Sequence, residues 1–250
     1  MRIVTVRGVR IGEGMPKIIA PIVGNSREAI LKEAAAIAVS GADIAEWRLD
    51  WFDHGENASA AASLAAELRP ILGEIPLLCT FRTAREGGQK AIQPEAYERL
   101  LTDLCASSEI DMIDIEAFSG DDMVRRIIDR AHENEICVVA SNHDFHATPD
   151  QAEILRRLTH MADLGADIPK IAVMPKTRHD VLALLSATAQ AADELDRPLI
   201  TMSMSSLGMV SRVAGECFGS SCTFGSVGQA SAPGQIPVTQ LRAILQSLHN

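Results

Sequence analysis

The sequence predicts a single (β/α)8 barrel with a small N-terminal β-hairpin, and three observations carry that expectation. Eight short apolar runs, each followed by a helical pattern, fill the 250 residues at about 31 residues per unit, the spacing of a (β/α)8 barrel. The competing doubly wound sheet usually has fewer strands and a Gly-rich turn after its first strand; here only Gly24 follows that strand, with no GxGxxG. Third, polar residues recur at the C-terminal ends of successive strands, spaced two apart and so on one face of each strand.

The elements follow in order. Ile3 to Ile11 alternates apolar and polar residues around Arg7-Gly8, the pattern of a hairpin outside the repeat. Ile18 to Val23 is the first barrel strand, and Ser26 caps an alanine-rich helix to Val39, stopped at Gly41. Ile44 to Leu49 is the second strand, with a helix from near Ser59 to Leu68-Arg69, ahead of Pro70. The third is Pro76 to Phe81 with a helix over Pro94 to Ala106, and the fourth Met112 to Ala117 with a helix from Asp121 to Asn134. The fifth, Ile136 to Asn142, precedes a helix capped near Thr148-Pro149 and ending at Leu164-Gly165. Ile168 to Met174 leads into a helix from Arg178 to Leu195, and Leu199 to Met204 into a short helix from Met209 to Phe218. Cys222 to Val227 is the eighth strand, and Val238 to Leu248 the closing helix. No linker or low-complexity stretch divides the chain, so residues 1–250 are expected to form one catalytic domain. The irregular stretches Arg82 to Ile92 and Gly228 to Pro237 both follow strands, which places them at the catalytic face of a barrel.

Composition narrows the function classes. Hydrophobic content of 47% and charged content of 22% are ordinary for a soluble globular protein. No apolar run nears the ~18 residues of a membrane span and no signal-peptide stretch opens the chain, so the expectation is a cytoplasmic protein without a membrane partner. A net charge of −10 argues against nucleic acid, and an anionic substrate must find a local basic cluster. The five cysteines are scattered without CxxC spacing, as expected of free thiols in a reducing compartment, and no metal-ligand spacing appears.

The candidate site is built from the strand ends. Glu46 and Arg48 share one face of the second strand, Thr80 and Arg82 end the third, and Asp114 and Glu116 share a face of the fourth. Ser141 and His143 end the fifth, Lys170 lies within the sixth, Met202 and Met204 end the seventh, and Phe224 and Ser226 the eighth. Buried charges are costly unless paired, so such a set is either a structural ion network or, as the better account, a site for a polar, anionic carbonyl compound at the barrel mouth. Lys170, one of only five lysines, sits in Asp167-Ile168-Pro169-Lys170-Ile171-Ala172-Val173-Met174-Pro175. On strand context alone it either snorkels to solvent or serves as a desolvated amine able to form a Schiff base. His143 and His146 are equal candidates for a base, and Glu86 in Arg85-Glu86-Gly87-Gly88 reads by default as a surface carboxylate.

Taken together, Pro16-Lys17-Ile18, Glu46-Trp47-Arg48-Leu49-Asp50, Phe81-Arg82-Thr83 with Glu86-Gly87-Gly88, and Ser141-Asn142-His143-Asp144-Phe145 with Thr148-Pro149 form a specific set. Lys170-Ile171-Ala172, Met202-Ser203-Met204, Gly208 with Ser211-Arg212, Gly219-Ser220, Thr223-Phe224 and Ser231-Ala232-Pro233-Gly234-Gln235 extend it along the whole chain. In these segments the chain resembles the type I 3-dehydroquinate dehydratases. The resemblance implies a barrel, a homodimer, no cofactor and no metal. It also implies dehydration of 3-dehydroquinate to 3-dehydroshikimate in the shikimate pathway, by syn elimination through a lysine imine. Carried over by position, it implies Lys170 as the Schiff-base lysine, His143 as general acid/base, Glu86 as the group that holds it, and Arg212 on the substrate carboxylate. Glu46, Arg48, Arg82, Ser231 and Gln235 would hold carboxylate, hydroxyls or one another, with Met202, Met204 and Phe224 as the wall. Arginines near Lys170 would help keep its amine free. Ser205-Ser206 stands where some relatives carry a charged pair, Ala20-Pro21 varies among relatives, and no fused dehydrogenase domain is expected. The alternative is a class I barrel aldolase, which also uses a strand-six lysine imine; Gly225 and Gly228 lend it slight support as a phosphate site.

Overall fold

The computed structural model describes residues 2–228 and 235–249. The chain opens with the strands β1 (Val4–Val6) and β2 (Val9–Ile11), an antiparallel pair with Val6 opposite Val9. Arg7 and Gly8 between them both have positive φ (43° and 79°), as a tight two-residue hairpin turn requires.

The barrel units follow: β3 (Lys17–Ile22) and α1 (Arg27–Ala38), β4 (Ile44–Arg48) and α2 (Ala58–Leu72), β5 (Leu77–Thr80) and α3 (Pro94–Cys105), β6 (Met112–Glu116) and α4 (Asp121–Glu133). Next come β7 (Cys137–Asp144) and α5 (Gln151–Asp163), β8 (Ile168–Val173) and α6 (Arg178–Glu194), β9 (Ile200–Ser203) and α7 (Val210–Val213), and β10 (Cys222–Ser226). A two-residue strand β11 (Ile236–Pro237) precedes α8 (Val238–Leu248). Strands β3 to β9 pair in parallel in chain order, and β10 pairs in parallel with β3. The seam between β9 and β10 is joined by a bridge between Leu199 and Ser220, where the Ser221 N–H donates to the Leu199 carbonyl at 2.7 Å. The sheet thus curls into the barrel that the alternation predicts. β11 lies along the C-terminal end of β10, with Gly225 opposite Ile236.

Two apolar layers result from the alternation of side chains along each strand. Ile18, Ala20, Ala45, Trp47, Cys79, Ile113 and Ile115 point outward and pack with the helices. Ile19, Ile44, Leu78, Met112, Val139, Ile168 and Ile200 point inward and form an apolar floor, against which Val6 and Ile11 of the hairpin are buried. The hairpin therefore plugs the N-terminal end of the barrel. Its ion pair from Arg7 to Asp111, a carboxylate also held by Arg69, fixes it there.

Four boundaries differ from the sequence expectation. α2 runs through Pro70 to Leu72, because a proline in the last turn removes only one helical donor while Leu68 and Leu72 are both buried. β7 continues two residues past Asn142 and so carries His143 on the strand itself. The segment Met209 to Phe218 divides into α7 and a separate 3-10 turn, Gly215–Phe218. α5 takes its cap from Asp150, whose side chain accepts the Glu153 N–H at 2.8 Å, rather than from Thr148-Pro149. Cys79, Cys105, Cys137 and Cys222 are buried free thiols, while Cys217 is exposed.

Candidate active site

Two residues above the apolar floor, each strand changes character. Glu46, Thr80, Asp114, Ser141 and Lys170 follow Ile44, Leu78, Met112, Val139 and Ile168 at the i+2 position, so they also point inward. Two residues further stand Arg48, Arg82, Glu116, His143 and Ala172. A concave pocket opens over them at the barrel mouth, the position of small-molecule sites in barrels. Glu46, Arg48, Arg82, Glu86, His143, Lys170, Met202, Met204, Arg212, Phe224 and Gln235 all line it. Of the residues expected at the site, only Ser231 is not placed, because it lies outside the described residues. His146 is exposed and absent from that lining.

Lys170 is 2% exposed, so its side chain does not snorkel to solvent. Its ammonium donates to Asp114 Oδ2 at 3.0 Å, stands 3.5 Å from Glu46 Oε1, and lies 4.8 Å over the Phe224 ring. The sequence pointed to nearby arginines; the groups in direct contact with Lys170 are carboxylates. The arginines are themselves engaged. Arg48 forms a two-bond fork with Asp50, both at 2.7 Å. Arg82 donates to Asp114 at 2.6 Å, to Glu116 at 3.1 Å and to Ser141 Oγ at 3.0 Å. Glu116 in turn accepts from the Thr83 backbone and hydroxyl, both at 2.8 Å. Arg82 is thus a strut of the barrel wall, holding its neighbours rather than reaching freely for a ligand.

His143 is placed by the loop after β5. A 3-10 turn, Ala84–Glu86, brings the Glu86 carboxylate over β7. Glu86 Oε2 accepts the His143 backbone N–H at 2.9 Å and sits 3.0 Å from His143 Nδ1, while Oε1 accepts from Asn142 Nδ2 at 3.1 Å. The default reading of Glu86 as a solvated carboxylate gives way to a part-buried one. Burial pushes its carboxyl up to about 7, with Arg82 pulling the other way. Burial, then Arg82 and Lys170, hold the His143 ring well below its ordinary value, so the ring is neutral at neutral pH. An ionised Glu86 fixes the proton on Nδ1 and leaves Nε2 as the basic nitrogen. Phe145 lies parallel to the imidazole, with centroids 6.5 Å apart. Gly87 is required beneath it, since φ is +83° and a Cβ there would come within 2.3 Å of the Phe145 ring.

Arg212 enters from α7 and is 2% exposed, not the surface arginine common near helix starts. Its Nη1 lies 3.7 Å from Met202 Sδ, and its carbonyl accepts from Thr223 Oγ1 at 2.9 Å. Burial brings its guanidinium down to about 10, still charged at neutral pH. Gly225, a weak sign of a phosphate site in the sequence, has a packing reason. A Cβ there would lie 3.0 Å from Val238 and 3.1 Å from Ile18.

The structure adds residues to which the sequence attached no role. Asp114 and Glu116 were legible as inward-facing, but not as partners of Lys170 and Thr83. Tyr97, whose hydroxyl accepts the Glu116 N–H at 2.9 Å, reaches the wall from α3 and left no sign in strand patterning. Among the described residues no group of His, Cys, Asp and Glu is arranged to hold a metal, and no helix is long and apolar enough to cross a membrane.

A barrel with one buried lysine among paired charges at its C-terminal mouth defines an enzyme that acts on a small molecule. Residues 18–250 match the family model of type I 3-dehydroquinase. Over 250 residues the chain is 49% identical to the 3-dehydroquinate dehydratase of Bacillus subtilis (strain 168), spanning all of this chain and 98% of that one. Among solved structures, the type I 3-dehydroquinate dehydratase of Clostridium difficile with covalently modified comenic acid superposes with a TM-score of 0.96 at 46% identity, covering 99% of this chain and 98% of that one. The 3-dehydroquinate dehydratase of Enterococcus faecalis gives 0.93 at 42%, covering 99% and 100%. The chain belongs to the type I 3-dehydroquinase family.

Proposed function

We propose that the protein dehydrates 3-dehydroquinate to 3-dehydroshikimate by syn elimination of water through an imine on Lys170. The observation that carries the reading is a lysine sealed in the wall of a small-molecule pocket, beside a histidine whose tautomer a carboxylate fixes. The relative solved with covalently modified comenic acid supports covalent chemistry in this family. The lysine nitrogen adds to the ketone and water leaves with two of the three protons of the starting ammonium, giving an iminium that accepts the electron pair of the adjacent C–H bond. His143 Nε2 takes that proton and returns it to the departing hydroxyl on the same side of the ring. Met202, Met204 and Phe224 form the apolar wall, and Glu46, Arg48 and Gln235 supply polar groups beside it, with Ser231 assigned there by position in the family. Borohydride added with 3-dehydroquinate should leave a reduced adduct on the peptide holding Lys170. Absence of an adduct, together with no enone absorbance, would exclude the reading, and a carbon–carbon cleavage product would favour an aldolase. Homodimeric assembly and a cytoplasmic site of action belong to the same proposal and rest on family membership.

Arg212 is the expected partner of the substrate carboxylate, because a guanidinium offers a two-bond fork. Truncating one side of a buried charged pair costs about 2–5 kcal/mol, so Arg212→Ala should lower kcat/KM by at least about 30-fold, mainly through KM. Arg212→Lys should recover only part. An unchanged KM for Arg212→Ala would remove it from that role.

The Glu86–His143 pair sets the acid side of the pH profile. Glu86 titrates at about 7, whereas the imidazole stays neutral to lower pH. As pH falls through about 7, Glu86 gains a proton, ceases to accept from Nδ1, and the rate should fall. The acid limb of kcat/KM is expected near that value in the native protein and should disappear, on a lower plateau, in Glu86→Gln. A limb that persists unchanged in the variant would mean another group causes it.

A further inference from the structure

Asp114 has a position that the reaction as written leaves unused. Its side chain has no exposed surface, and it is not part of the pocket lining, so it reaches the reacting centre only through Lys170. Oδ1 is held by two donors, Arg82 Nη2 at 2.6 Å, from just past β5, and Ser141 Oγ at 2.6 Å, from β7. Those bonds fix the rotation of the carboxylate and aim Oδ2 at Lys170 Nζ, 3.0 Å away. Burial alone would favour the neutral acid, but Arg82 and Lys170 outweigh it and keep the carboxyl well below the usual carboxylate range.

The other charged groups around Nζ are placed differently. Glu46 on β4 stands farther, at 3.5 Å, accepts from Thr80 Oγ1 at 3.0 Å, and faces the pocket where substrate sits. Arg82 meets Nζ only through Asp114, which it shares with Lys170. His143 on β7 is neutral, and the Cys222 thiol on β10 is pushed up to about 12 by burial and is neutral too. Arg48 is spent on Asp50, while Arg212 shares the pocket wall with Met202. One anion alone is both closest to the nitrogen and shut away from the substrate.

We propose that Asp114 is the counter-ion of the reacting nitrogen throughout the cycle, pairing with the Lys170 ammonium before substrate binds and with the protonated imine afterwards. This rests on the imine reading above. Starting from the ammonium, the C–N bond forms and two of the three nitrogen protons end on the carbonyl oxygen, which leaves as water, so nitrogen retains one proton and the positive charge. That charge makes the imine an electron sink, and it is now buried. Without an adjacent anion a buried cation gives up its proton. Asp114 keeps its own charge unchanged through the step and so holds the imine in its protonated form.

The test compares pH profiles. The alkaline limb of kcat, which reports groups in the enzyme–substrate complex, should move at least one pH unit lower in Asp114→Asn, a tenfold or larger loss of protonated imine at a given alkaline pH. Borohydride trapping of 3-dehydroquinate on Lys170 should fall off over the same shifted range. Overlapping profiles for variant and native protein, with native trapping intact, would overturn the counter-ion role and leave the imine itself standing. Absence of trapping in the native protein would instead refute the imine. A second measurement needs no variant: nitrogen NMR of protein carrying 15N at lysine Nζ, saturated with 3-dehydroshikimate. The imine nitrogen should remain protonated across the whole pH range of turnover, and deprotonation within that range would overturn the proposal.

Discussion

Lys170→Ala should lose imine formation completely and lower turnover by about 10⁴–10⁶-fold, the scale on which enzymes respond to loss of a nucleophile. The magnitude follows from what an alanine leaves behind. The proton to be removed lies beside a ketone, and without the iminium the electron pair has no positively charged acceptor. The carboxylates cannot substitute, since Glu46 and Asp114 would repel a developing negative charge. The fold should survive, because Asp114 still holds Arg82 and Ser141 at 2.6 Å. Circular dichroism should therefore match the native protein while borohydride produces no mass increase. A variant that kept even 10% of native turnover would place the chemistry elsewhere.

His143→Ala should behave in a complementary way. The adduct should still form, because Lys170 and its carboxylate partners are untouched, but turnover should drop by about 10²–10⁴-fold, the usual contribution of a positioned acid/base. The two variants thus separate the electron sink from the proton carrier. The imidazole has no ready substitute nearby, since His146 is exposed. Glu86 would lose the Nδ1 contact but keep the His143 backbone N–H and Asn142, so the loop after β5 should stay in place. Rapid quench with borohydride should show the adduct in the variant at native occupancy, with product formation slowed. Near-full turnover in His143→Ala would transfer the role to His146.

Much of this arrangement was legible in the chain because a strand alternates. Once Ile113 and Ile115 are read as outward, Asp114 and Glu116 must face the barrel interior, and the same reasoning places Glu46, Arg48 and Lys170. What alternation cannot supply is pairing across strands. Whether Arg82 reaches substrate or Glu116 depends on barrel stagger and side-chain length, and nothing in the spacing of residues 82 and 116 encodes it. Glu86 was opaque for a related reason: a carboxylate in a glycine-rich loop looks solvated until the loop is folded over His143. Pro70 shows the opposite failure, a strong local signal overridden by the burial of Leu68 and Leu72 on the same helix.

The hairpin plug has a consequence for traffic. With Val6 and Ile11 seated on the apolar floor, the barrel is closed below the lysine, and the pocket among the described residues lies at its mouth. On the proposed imine route, substrate enters through that mouth, and the two waters generated on the way to product leave by it. The water that hydrolyses the final imine must come in the same way. On the imine route, substrate, product and these waters would all share that one opening.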